Sequence, residues 1–148
     1  MPTVTFFHHE RVDDARRTGL SVDGSRALER YVPGDEDYDP VLRWFVDVNV
    51  PVTEAIESRT AAAEWLAVHG DTVQAALAAA ADHLHAGKDS DGGPWAFPVE
   101  TPEGPVRVSV AARRQNDAAR LGEHLRKLLT AEWPAFRAEF RPALVGAA

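Results

Sequence analysis

Residues 41–50, VLRWFVDVNV, place Leu42, Trp44, Val46, Val48 and Val50 on one side of an extended chain and Val41, Arg43, Phe45, Asp47 and Asn49 on the other. Successive side chains of a strand point to opposite faces, so this period of two demands a sheet with one face against a core. The first set is the expected core face. The same grammar recurs upstream. TVTFFHHERV at 3–12 is rich in aromatic and β-branched residues, and RTGLSV and RALERYV flank Asp23-Gly24, a dipeptide suited to a two-residue hairpin turn with positive φ at both central positions.

After residue 53 the period changes. A helix is expected from about 54 to 68, with Ile56, Ala63, Leu66 and Ala67 near one stripe and Gly70 as its stop. Asp71 followed by Gln74 resembles a capping box, so a second helix is expected through Val73, Leu77, Ala80, Ala81 and Leu84 to Gly87. Residues 95–112 return to period two around TPEG, which predicts a second hairpin, and Pro98 marks its strand as an edge because proline donates no ladder hydrogen bond. A third helix is expected from Asn116 or Asp117 through Leu121, Leu125, Leu128 and Leu129, with Pro134 opening a short continuation that carries Phe136 and Phe140. The order ββββ–αα–ββ–α predicts a single α+β domain over residues 1–148: an antiparallel β-sheet, made of the N-terminal strands plus the later hairpin, packed against three or four α-helices.

Composition removes several function classes. The chain has no cysteine, which excludes disulfides, thiol nucleophiles and thiolate zinc sites. It shows neither a signal peptide pattern nor a long apolar run, so cytoplasmic residence and no membrane partner are expected. Net charge is −7 and uneven: residues 1–103 hold 8 basic and 19 acidic residues, whereas 104–148 hold 8 basic and 4 acidic. An acidic body disfavours nucleic acid, whose phosphates need a positive face. The basic tail is suited to its own acidic half, a second copy or an acidic partner.

The segment DHLHAGKDSDGGPW at 82–95 is the densest in metal-ligating types. Asp89, Asp91 and Glu100 match positions one, three and twelve of a calcium loop, but Gly93 and Pro94 stand where a ligand and a turn glycine belong. His83 and His85 are two apart, a spacing that turns their side chains away from each other on a helix. With His69 they read as helix-end histidines, and His124 as the edge of a helical stripe. Asp35, Glu36, Asp37 and Asp39 read as a solvated turn. No metal site and no cofactor are therefore expected, and no nucleophile motif or phosphate loop is present.

The polar faces of the first strands supply the binding candidates His9, Arg11, Glu29, Tyr31, Arg43, Asp47 and Asn49, interleaved with Phe7 and Phe45. Arg113, Arg120 and Arg126 are the candidate docking residues of the last helix. The favoured reading is a cytoplasmic non-catalytic interaction or regulatory protein that binds a protein partner or itself through one of these surfaces. The alternative is a small enzyme or ligand-binding protein with a sheet–helix pocket, using His8 or His9 with Asp47, Glu29 or Arg43. A small-molecule ligand stays open on either reading.

Overall fold

The computed structural model describes residues 2–11, 14–34, 42–86, 95–112 and 118–142. Asp89 and Asp91 of the calcium spacing, the acidic run at 35–39, and Arg113 lie outside these residues. Six strands form one sheet: β1 (Thr3–Arg11), β2 (Arg16–Val22), β3 (Ser25–Val32), β4 (Leu42–Pro51), β5 (Trp95–Thr101) and β6 (Gly104–Ala112). They lie in the order β3-β2-β1-β4-β6-β5, and every neighbouring pair is antiparallel. The β2–β3 turn forms at Asp23 (φ 49°) and Gly24 (φ 86°), and the Pro98 strand β5 is an edge, as its missing donor requires.

Among the described residues two helices, not three or four, cover one face. One runs unbroken over Arg59–Ala86. The other is α-helical over Ala118–Lys127, passes through a π-helical turn at Leu128–Glu132 and resumes over Trp133–Glu139. The helix continues through the predicted stop at Gly70, which instead makes a tertiary contact: a Cβ there would lie 2.7 Å from the Arg137 guanidinium carbon. Asp71 and Gln74, read as a cap, are spent the same way. Asp71 Oδ1 accepts from Arg137 Nη1 at 2.7 Å, and Gln74 Oε1 accepts from Trp133 Nε1 at 3.0 Å. The true start is Ser58, whose Oγ accepts from the backbone N–H of Ala61 at 3.0 Å, so residues 54–58 precede the helix.

The core sits between the covered face and the two helices. Val4, Phe6, Leu20, Leu28, Trp44, Val46, Val48, Val50, Val106, Val108 and Val110 meet Leu66, Val73, Leu77, Leu84, Leu121, Leu125 and Phe136 there. Each large apolar side chain so buried contributes roughly 1.5–3 kcal/mol relative to exposure. Leu42, expected in this set, is exposed, since the register of β1 against β4 shifts at Glu10/Arg11 and leaves it at the sheet's end. Ala67, expected on the inward stripe of the first helix, is exposed as well.

The π turn explains how the C-terminal helix points so much inward. Pro134 has no N–H for the carbonyl four residues back and its ring crowds that carbonyl. The backbone N–H of Trp133 instead reaches the Leu128 carbonyl, an i to i+5 bond. The extra residue lets both Glu132 and Trp133 face the interior. Trp133 then packs edge-on to Phe6, ring centroids 5.1 Å apart and planes at 88°, which seats this helix on β1.

Candidate functional site

The polar residues of the covered face gather at the Glu10 end of β1. His8 and Glu10 point to the helices because they share the register of Phe6, and β2 adds Thr18 and Arg16 opposite them. His8 is 1 % exposed, and its Nδ1 lies 2.8 Å from Thr18 Oγ1, so neither polar group is left unmet. Glu10 is the hub. Its Oε1 accepts from Arg43 Nη1 at 2.8 Å, its Oε2 accepts from Trp44 Nε1 at 3.1 Å, and His8 Nε2 stands 3.7 Å from the same oxygen. Burial pushes the Glu10 carboxyl upward, but the His8 and Trp44 donors, with the charges of His8 and Arg43, outweigh it and hold the group at about 2.

The C-terminal helix closes the arrangement from above. His124 stacks on Trp44, and burial pushes its imidazole below the usual range, against the attraction of Glu10 and together with the repulsion of Lys127 and Arg43. Between helix and sheet lies a cleft of about 410 Å³, with Glu10, Arg16, Arg43, His124, Lys127 and Glu132 on its walls. Glu132, from the π turn, is 9 % exposed and faces Arg16 and Arg30. Arg16 Nε, Arg30 Nε and Glu132 Oε2 are buried without a hydrogen-bond partner.

A larger groove of about 490 Å³ runs between the two helices past Trp133, Arg137 and Phe140. Its main polar groups are already paired, Arg137 with Asp71 and Trp133 with Gln74, so it offers less to a ligand than the smaller cleft.

The strand-face candidates fall on the uncovered side with one exception. His9 lies 3.4 Å from Asp47 Oδ1 between the rings of Phe7 and Phe45, and Asn49 Oδ1 accepts from Thr5 Oγ1 at 2.7 Å. Glu29 accepts from Arg17 at 3.0 Å and from Arg26 at 2.9 Å, and Arg17 lies over the exposed ring of Tyr31. Arg11 is half-buried at the end of β1. Arg43 is the exception, since its guanidinium turns to Glu10 and Asp14 and joins the cleft. Of the docking-helix candidates, Arg120 is exposed, while Arg126 donates to Asp82 on the long helix at 2.8 Å. Part of the basic tail is thus matched to the chain's own acidic half.

Of the histidines assigned to helix ends, His83 lies in the last turn of the long helix, whereas His69 does not lie at an end. His69 lies within the long helix, its ring tilted against that of Trp65, with Nδ1 2.7 Å from Glu103 Oε1. His83 packs against the ring of Phe97, centroids 4.5 Å apart. Among the described residues no group of three or more His, Asp or Glu is placed to hold a metal ion, and no helix is long and apolar enough to cross a membrane.

Sequence reading missed Glu10, Arg16, Arg30, Lys127 and Glu132 as members of one site. The one available signal was the shared register of Phe6, His8 and Glu10, which puts two ionisable groups on a core face. No protein-family model matches the chain, and no curated protein or solved structure matches it either.

Proposed function

We propose that the protein binds a small polar ligand in the cleft between the sheet and the C-terminal helix, which takes up the pocket alternative with Arg43 and His8 retained and Glu10, Arg16, His124 and Glu132 added. The carrying observation is the set of three buried polar atoms without partners, on Arg16, Arg30 and Glu132, beside a cleft of about 410 Å³. An unmet buried polar group costs roughly 1–3 kcal/mol and calls for a partner, which a ligand or ion in the adjoining cleft would supply. The adjacent π turn supports the same reading, since π bulges recur at functional sites.

The test is a thermal-shift screen of small acids, phosphates, amines and neutral polar compounds against the protein and Ala131→Trp, which fills the cleft wall. A true ligand at about 100 times its Kd stabilises by roughly 2.7 kcal/mol, an effect Ala131→Trp abolishes. No compound distinguishing the two proteins would sink the reading.

The interaction reading draws on the uncovered face, where Tyr31 is 46 % exposed beside Arg17. Its check is the sedimentation of Tyr31→Arg. An unchanged oligomeric state and unchanged partner capture would leave that face idle.

A further inference from the structure

Arg16 and Arg30 come from neighbouring strands. Thr18 pairs with Arg30 and Arg16 with Val32, so the two arginines are diagonal neighbours on the covered face. Both reach for the same carboxylate: Arg16 Nη1 stands 3.5 Å from Glu132 Oε1, and Arg30 Nε stands 3.9 Å from Glu132 Oε2. These distances are long. A guanidinium that grips a carboxylate does so at roughly 2.7–2.9 Å, with two parallel N–H donors. Here Oε2 of Glu132 accepts nothing, and Nε of each arginine donates to nothing.

The reason for the poor fit is the tether. Glu132 is the last residue of the π turn, and its successor Trp133 is held between Phe6 and Gln74, so the backbone is anchored and the carboxylate meets the donors only at these long distances. A free oxyanion has no such restraint. Glu10 is not the better partner, because Arg43 and the Trp44 indole already occupy its two oxygens. Lys127 and Arg43 on the cleft wall add positive potential toward an entering anion, while Asp14 beside Arg43 offsets part of it.

We infer that Arg16 and Arg30 form an oxyanion site, that Glu132 is its internal occupant, and that a ligand carboxylate or phosphate entering the cleft displaces it. This rests on the cleft being the ligand site. It adds the chemistry of the ligand and the identity of the group it must compete with.

Isothermal titration of inorganic phosphate and of acetate, at fixed ionic strength, tests it on the whole chain. Weak binding is expected to the unaltered protein, and at least tenfold tighter binding of the preferred anion to Glu132→Gln, which keeps the shape and removes the competing charge. Arg30→Gln is expected to lose binding at least tenfold, and Arg16→Lys, which keeps charge but not the fork, to lose part of it. A tenfold preference between phosphate and acetate identifies the ligand class. Glu132→Gln binding no tighter than the parent overturns the internal-occupant assignment, and Glu132→Ala with native circular dichroism gives the same reading should the glutamine variant fold poorly. Binding of neither anion to either protein overturns the oxyanion site, as does an isotherm that Ala131→Trp leaves unchanged. Neutral compounds that stabilise the parent but not Ala131→Trp would, in that event, leave the cleft standing as a site of different chemistry.

Discussion

The imidazole of His124 lies flat on the indole of Trp44, with ring centroids 5.2 Å apart and planes 12° from parallel. The other edge of that indole donates to Glu10 at 3.1 Å, so one aromatic ring joins the C-terminal helix to the carboxylate hub of β1. His8 contacts Trp44 as well, at 5.1 Å between centroids, and the three rings form the apolar wall of a polar cleft.

Burial at this position biases the His124 imidazole toward its neutral form. Burial on the indole pushes the His124 pKa below 6.5, so the neutral form is favoured, and the stability it contributes is present above 6.5 and lost as pH falls through the lowered value. An imidazole NMR titration should give a midpoint below that of a free histidine. A midpoint at or above 6.5 would refute burial as the dominant influence.

Glu10 behaves as a depressed carboxylate. Its folded pKa is about 2 against 4.5 for the free group, so its contribution is complete above pH 4.5 and disappears as pH falls toward 2. Thermal melts of Glu10→Gln should show a lower melting temperature than the parent at neutral pH and a flatter decline between pH 4.5 and 2. Parallel acid profiles for the two proteins would remove Glu10 from its role as hub.

Gly19 admits no side chain. A Cβ there would collide with the Leu28 carbonyl oxygen and stand 2.7 Å from Cζ of Phe7, whose ring lies over the glycine and is thereby buried on the otherwise uncovered face. Gly19→Ala should cost about 1–3 kcal/mol by chemical denaturation, because β2 and β3 would have to part. A loss below about 0.5 kcal/mol would mean that the strand yields more readily than this packing suggests.

The long helix is capped at its first turn and tied to the β5–β6 turn through Glu103, which meets both His69 and Thr72. Ser58→Ala removes the cap on Ala61 and should cost about 1 kcal/mol. Thr72→Val removes the donor that reaches Glu103 Oε2 at 2.7 Å, the largest cause of that carboxyl's lowered pKa, and should raise it toward 4.5 while freeing the turn. Hydrogen exchange of residues 101–104 should quicken in Thr72→Val and stay unchanged in Ser58→Ala.

The strands, the Asp23-Gly24 hairpin, the Pro98 edge and the core face of β4 were legible because a period of two and a positive-φ dipeptide are local properties of the chain. Helix count was not. Gly70 reads as a stop by propensity, yet the helix runs through it, and the guanidinium of Arg137, a residue far along the chain, packs against it. The sequence also put His8 and Glu10 on one face and drew the acidic body and basic tail, but it carried no sign of which carboxylate would meet which arginine. Arg16, Arg30 and Glu132 come from two strands and an irregular turn, and only the docking of the C-terminal helix through Trp133 brings them together. Pairing between distant segments is fixed by where large buried side chains can pack, and that energy belongs to the assembled core rather than to any stretch of residues.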